Sequence, residues 1–329
     1  MSTTFLSVGI LLAGIYALIW SGTKVVRSLT RISRFFGLSE FIVSFVLMAF
    51  ATTLPEFGVG VSAAISGNPT IALGNVIGTN IVNLSFILGL VVIIAGGIVM
   101  HRQEKKFFLA SRWFDVVMIT LPLVMLLDGT LSRWEGGILL AFFVGHIIRL
   151  LRSQELFSIH HHFGGREGLS DKGTISLADN VMKDIALFGV FVVVLLGSSY
   201  AVVSSSRVLS DALGIPEILF GLFIVAIGTS LPELVFGIRS AFLHVSQASL
   251  GNLLGAAVLN STWVLGVTAL IHPIVMQSYG SFLVGAVFLL FVLLLAVHFM
   301  RTGGRVSVRE GIALVSLYVL FLVGEMLLG

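Results

Sequence analysis

Two short elements carry chemistry that their surroundings do not explain: T-T-L-P-E at residues 52–56 and T-S-L-P-E at 229–233. Each sets a glutamate directly after a proline within an apolar run. A charged side chain at the centre of a bilayer costs at least about 2.5–3.5 kcal/mol, which makes Glu56 and Glu233 functional candidates. Pro55 and Pro232 have no N–H to give to the carbonyls of Ala51 and Gly228, and each ring crowds that carbonyl. Both helices are therefore expected to open there and turn backbone oxygens toward a cavity. Thr52 and Thr229 precede the glutamates by four residues, on the same helical face. Carboxylate, hydroxyl and carbonyl oxygens gathered this way suit a hard cation such as Ca2+, Na+ or Mg2+, not a thiophilic metal.

A second pair of elements follows, G-N-V-I-G-T-N-I-V-N at 74–83 and G-N-L-L-G-A-A-V-L-N at 251–260. Asn75, Thr79 and Asn83 recur every four residues and make a polar stripe on one helix face; Asn252, Ala256 and Asn260 are their counterparts. The asparagines are expected to line the cation site. Gly74, Gly78, Gly251 and Gly255 lack side chains and allow a neighbouring helix to approach closely.

The elements that must position these residues are membrane helices. Of the 329 residues, 57% are hydrophobic and 11% charged, and the mean hydropathy is +1.08. Soluble domains carry about 25% charged residues, so a soluble enzyme, a disordered chain and a nucleic-acid binder are excluded. Without cysteine there is no disulfide, thiolate chemistry or Cys-ligated metal, and no H-E-x-x-H element or phosphate-cradling loop points to an enzyme. Apolar runs long enough to cross about 30 Å of hydrocarbon recur along the chain. Ten spans are expected near 5–28, 41–66, 70–98, 107–127, 134–151, 185–208, 218–243, 247–271, 280–299 and 310–328. Glu56 and Glu233 then lie about 22 Å along their helices, well inside the bilayer.

With ten spans in order, all of the 19 Lys and Arg residues except Arg133 and Arg207 fall on one side. The positive-inside rule makes that side cytoplasmic and predicts a multi-pass protein of the cell (inner) membrane with both termini outside. The polar stretch 153–183 reads as a cytoplasmic linker between a first five-helix half, 1–152, and a second, 184–329. Its His160, His161 and His162 read as a solvated run, since adjacent residues seldom converge on one ion.

The halves repeat. The segment beginning at Gly37 aligns without a gap to that beginning at Gly214, at a constant offset of 177 residues. Matches include Glu40/Glu217, Ala49/Ala226, Thr52/Thr229, Pro55/Pro232, Glu56/Glu233, Asn75/Asn252 and Asn83/Asn260. Five spans per half is an odd number, so the second copy enters the membrane from the opposite face. The predicted fold is an all-α polytopic membrane protein, ten transmembrane helices in two inverted-topology five-helix repeats. Secondary transporters use this architecture, with the site near the midplane where the repeats meet.

These paired motifs resemble the sodium/calcium exchanger family, whose signature is two inverted repeats, each with a G-T-S-x-P-E-like and a G-N-x-x-G-S-N-like element. The resemblance spans essentially the whole chain. It implies an antiporter exchanging Ca2+ for Na+ by alternating access, with Ca2+/H+ exchange as the rival reading. Ca2+, Na+ (or H+) and membrane lipid would be its partners, without a resident cofactor or an obligate protein partner. It further implies that Glu56 and Glu233 share the cation and that Thr52 and Thr229 contribute backbone oxygens. Thr53 and Ser230 would contribute hydroxyls, Ala49 and Ala226 carbonyls for Na+, and Thr79, Asn83 and Asn260 would line the site. Two positions depart from the pattern: Ala256 stands where the family usually has Ser, and Asn260 where close relatives often have Asp. Two glutamates offset one Ca2+ or two monovalent ions, whereas three Na+ would leave one positive charge over.

Other polar residues read more plainly. Glu40 and Glu217 stand at helix starts, where an anion is favoured, and Asp115 and His146 are expected near the ends of their spans.

Overall fold

The computed structural model describes residues 2–35, 47–99, 102–158, 174–242, 246–276, 279–301 and 305–328. These form ten helical rods. In chain order they are α1 (Ser2–Phe35), α2 (Leu47–Ile65), α3 (Pro69–Val82, continuing through Asn83–Ile87 to Leu88–Ile94), α4 (Arg102–Met125) and α5 (Arg133–Ser158). The second half has α6 (Thr174–Leu213), α7 (Glu217–Phe220 through Gly221–Val225 to Ala226–Thr229, then Leu231–Phe242) and α8 (Ser246–Leu259 through Asn260–Val264 to Leu265–Ile271). It closes with α9 (Tyr279–Arg301) and α10 (Val308–Leu328). Both α5 and α6 run as helix into the 153–183 stretch; His160, His161 and His162 lie outside the described residues.

The two repeats interlock. The third helix of each half, α3 and α8, carries the most buried of the apolar spans. Each packs against the second and fifth helices of the other half: α3 on α7 and α10, α8 on α2 and α5. Two antiparallel ladders tie the halves together at the helix ends. β1 (Ile98–Val99), after α3, pairs with β4 (Arg305–Val306), before α10; β2 (Thr130–Leu131), before α5, pairs with β3 (Ile274–Val275), after α8.

Glycine sets the closeness of these crossings. A Cβ at Gly89 of α3 would stand 2.5 Å from the carbonyl oxygen of Gly311 on α10, and one at Gly311 2.9 Å from that of Gly89. The same mutual contact joins Gly136 of α5 and Gly266 of α8, at 2.8 and 3.0 Å. Without a hydrophobic drive between helices in lipid, such backbone-to-backbone packing is a main source of association.

The fifth helix of each half starts with a capping box. Glu135 accepts from the backbone N–H and hydroxyl of Ser132, both at 2.7 Å, and Glu310 accepts from those of Ser307 at 2.6 and 2.8 Å. Each satisfies helix-start donors that would otherwise be unpaired.

Three helices contain a π-helical turn: Asn83–Ile87 in α3, Gly221–Val225 in α7 and Asn260–Val264 in α8. Such turns frequently mark functional sites. The opening expected at both prolines occurs at one. α7 breaks at Ser230, and its two parts are bent by 43°, whereas α2 continues as helix through Pro55. The local sequences explain the difference. Gly228 stands where α2 has Ala51, weakening that turn by about 1 kcal/mol. The Ser230 hydroxyl turns back onto the Ala226 carbonyl at 2.7 Å, which bends a helix.

Candidate cation site

α2 and α7 bring Glu56 and Glu233 into the interior, where both have zero exposure. They come from equivalent places in the inverted repeats and lie within electrostatic reach of each other. Thr229 of α7 lies beside Glu56, and Thr52 of α2 beside Glu233. Each carboxylate therefore faces the threonine of the opposite half.

Both threonine hydroxyls also reach asparagines. Thr229 donates to Oδ1 of Asn75 at 3.1 Å, and Thr52 to Oδ1 of Asn252 at 3.5 Å, two bonds related by the repeat. Thr79 and Thr229 bring their hydroxyl oxygens to 3.3 Å. Asn75 and Asn252, expected to line the site, tie α3 to α7 and α8 to α2. Their oxygens are engaged because a buried threonine hydroxyl four residues before each glutamate needs an acceptor.

Among the described residues, none of the four carboxylate oxygens of Glu56 and Glu233 has a hydrogen bond of ordinary geometry. Oδ1 of Asn83 and Oδ1 of Asn260 are also buried without a partner. Buried polar atoms are nearly always paired, so each exception demands an account. These six oxygens come from α2, α3, α7 and α8, which contact one another at the centre of the bundle. Unpaired carboxylate and amide oxygens are the ligands a hard cation takes. Among the described residues, no three His, Asp or Glu side chains gather as a transition-metal site would need.

The remaining expected residues divide. Thr53 and Thr79 are fully buried. Ser230 and Ala226 bond to each other. The Ala226 carbonyl accepts from the Ser230 hydroxyl at 2.7 Å and from the Ser230 N–H at 3.0 Å, so the break in α7 satisfies both groups within the helix. Ala49 falls within α2, and its side chain is outside the described set. Ala256 is fully buried and brings no oxygen from its side chain.

Residues that sequence reasoning passed over complete the surroundings. Asn80, one position off the polar stripe, donates through Nδ2 to the Ser261 hydroxyl at 3.0 Å and to the Ala257 carbonyl at 3.5 Å. It accepts from Nδ2 of Asn260 at 3.2 Å. Phe57, next to Glu56, stacks on Trp263 of the α8 π-turn with centroids 4.2 Å apart, and Phe50 meets the same indole edge-on at 4.9 Å.

Away from this centre, Glu217 in the first turn of α7 accepts from the Thr70 hydroxyl at 2.9 Å, so it joins α7 to α3 besides standing at a helix start. Glu40 lies outside the described residues. His146 of α5 is buried: it stacks on Phe114 of α4 with Nδ1 3.8 Å from Asp115.

A family model described as sodium/calcium exchanger protein matches residues 6–151 and 183–327. The chain is 28% identical over 282 residues to the inner membrane protein YrbG of Escherichia coli, covering 82% of this chain and 81% of that protein. It is 27% identical over 343 residues to the sodium/calcium exchanger MaX1 of Methanosarcina acetivorans, covering 95% and 97%. Among solved structures, the sodium-calcium exchanger NCX_Mj soaked with Na+ and Sr2+ matches with a TM-score of 0.62 at 25% identity, over 97% of this chain and 99% of that one.

Proposed function

This chain belongs to the sodium/calcium exchanger family, and on that premise we propose that it is a secondary antiporter carrying Ca2+ one way across the membrane and Na+ the other. The observation that carries the reading is the pair Glu56 and Glu233, fully buried within electrostatic reach of each other, whose four oxygens have no hydrogen bond of ordinary geometry among the described residues. Two carboxylates balance one Ca2+, and the oxygens of Asn83 and Asn260 supply neutral ligands to the same ion or to Na+. When Ca2+ leaves, the paired negative charges attract monovalent cations, because two bare carboxylates in a low-dielectric interior repel strongly. One pair of acids that must always be neutralised couples the two fluxes.

Alternating access would be the work of α1 and α6. These helices pack extensively on each other and meet the rest of the bundle mainly through α2 and the bent α7. Their contacts beside the acids are small or smooth. Gly22 of α1 stands next to Pro55, a Cβ at Gly58 of α2 would overlap the Ser199 hydroxyl, and Gly228 of α7 faces Ile15. Sliding of the α1–α6 pair past Pro55, Gly58 and Gly228 would open the acids first to one side and then to the other. Following the positive-inside rule, both termini would face outward.

Proteoliposomes loaded with Na+ and diluted into Na+-free buffer test the reading. They should accumulate 45Ca2+, with uptake abolished when the Na+ gradient is collapsed. Uptake indifferent to Na+ and driven by a pH jump would replace Na+ by H+ as the coupling ion, and uncoupled conductive flux would make the protein a channel.

A further inference from the structure

Two aromatic rings meet beside the acids without supplying a ligand. Phe57 follows Glu56 directly on α2, and Trp263 sits in the π-helical turn of α8 that Asn260 opens. The rings stack almost parallel, with centroids 4.2 Å apart and planes 7° from each other. Phe50 of α2 meets the same indole edge-on at 4.9 Å, and Phe143 of α5 stacks on it more distantly, at 6.1 Å. One indole thus ties two helices of the first half to the turn of α8 that carries Asn260, and its nearest ring is the chain neighbour of Glu56.

A π-helical turn is rare, so contacts from outside must help to hold this one. The Asn260 carbonyl accepts from the N–H of Leu265, which closes the turn around Trp263. Holding the indole therefore holds the residue that opens the turn. On the other face of the stack, Phe57 and Glu56 are consecutive in a continuous helix, so fixing the phenyl ring fixes the rotation of α2 at the glutamate. The two helices cross closely one turn further on. A Cβ at Gly60 of α2 would stand 2.7 Å from the Thr268 hydroxyl oxygen and 3.0 Å from the Val264 side chain.

The first repeat supplies the comparison. Phe86 occupies the equivalent place in the π-turn of α3 that Asn83 opens, and it meets Tyr318 of α10 at 5.5 Å, as Trp263 meets Phe143. The residue after Glu233, however, is Leu234, so α7 brings no ring there to stack on Phe86. Each half braces its π-turn on the fifth helix of the other, and the α8 turn is also stacked on the neighbour of a glutamate.

We propose that Trp263 is a positioning residue for the cation site: stacked on Phe57, it keeps the Asn260 turn of α8 in register with Glu56 of α2 and so sets how tightly Ca2+ is held. This rests on the exchange reading above. Oxygens around Ca2+ must lie about 2.3–2.6 Å from it, so even a small slip between α2 and α8 draws Asn260 away from an ion held by Glu56.

The full-length protein in Na+-loaded proteoliposomes provides the test, with initial rates of 45Ca2+ uptake measured over a range of Ca2+ concentrations. Trp263→Leu and, from the other side of the stack, Phe57→Leu should each raise the KM for Ca2+ roughly tenfold. That is equivalent to about 1.4 kcal/mol, the size of one aromatic pair, and the maximal rate should stay within about twofold of the wild type. The double variant should be no worse than either single one, since both remove the same contact. Trp263→Phe, which keeps a ring on Phe57, should recover most of the affinity, and Phe86→Leu should raise KM much less than Trp263→Leu. An unchanged KM in Trp263→Leu and Phe57→Leu, or an equal rise in Phe86→Leu, would overturn the proposal. So would a fall in maximal rate at constant KM, which is what a merely loosened fold produces. Should Trp263→Leu fail to fold, Phe57→Leu and Trp263→Phe decide the same question. Absence of Ca2+ uptake by the wild-type protein would instead overturn the exchange reading.

Discussion

Thr229 of α7 donates its hydroxyl proton to Asn75 of α3 at 3.1 Å, and Thr52 of α2 does the same to Asn252 of α8 at 3.5 Å. Each bond joins one half of the molecule to the other or closes it beside a glutamate, and the inverted repeat relates the two. The threonines bond to asparagines, and the acids beside them have no hydrogen bond of ordinary geometry among the described residues. Asn75→Ala would leave the Thr229 hydroxyl without this acceptor, at a cost of about 1–3 kcal/mol. Thermal unfolding in detergent should show it, and the double variant with Thr229→Val should lose less than the sum of the two single changes because they share one bond.

The glutamates should behave in the opposite way. Their oxygens make no hydrogen bonds of ordinary geometry among the described residues, so Glu56→Gln or Glu233→Gln removes a buried charge and breaks nothing. In cation-free detergent either variant should melt at the wild-type temperature or above it. The stabilisation that Ca2+ confers on the wild type, about 2.7 kcal/mol at a hundredfold excess over the dissociation constant, should vanish in both. A Gln variant that melts lower without cations and still gains stability from Ca2+ would contradict the account.

Gly89→Ala and Gly266→Ala should each destabilise the bundle by about 1–3 kcal/mol, as expected for overpacking. A Cβ at Gly89 would stand 2.5 Å from the Gly311 carbonyl oxygen, and one at Gly266 3.0 Å from that of Gly136. Gly9→Ala and Gly145→Ala, where an added Cβ meets nothing within 4 Å, are controls expected to change little. Melting curves of the four variants in one detergent decide the matter.

Glu310→Ala and Glu135→Ala should each cost about 1 kcal/mol by uncapping α10 and α5, with equal effects because the two capping boxes have nearly the same geometry. Hydrogen exchange at the backbone N–H groups of Ser307 and Ser132 would report the loss locally.

Much of this was legible in the amino-acid sequence. The matched T-x-L-P-E and G-N-x-x-G elements located both acids and the crossing helices, because charge in an apolar run and glycine at a close approach are strong local signals. The different fates of Pro55 and Pro232 were not legible from the prolines alone; Gly228 in place of Ala51, together with the Ser230 hydroxyl on the Ala226 carbonyl, decides where the chain breaks. Asn80 escaped notice because its importance lies in a partner 180 positions away, and no spacing within one helix reveals that. One signal was present and unread. S-R-W-E-G at 132–136 and S-V-R-E-G at 307–311 recur at an offset of 175, two residues short of the main repeat, and carry it into the fifth helix of each half with its cap and its packing glycine.

The central claim is that Glu56 and Glu233 hold one Ca2+ between them, and calorimetric titration of Ca2+ into the purified protein tests it most directly. The account predicts one Ca2+ per chain for the wild type and no measurable binding for Glu56→Gln or for Glu233→Gln, each still folded. Binding of Ca2+ to the doubly substituted protein at wild-type affinity would contradict it.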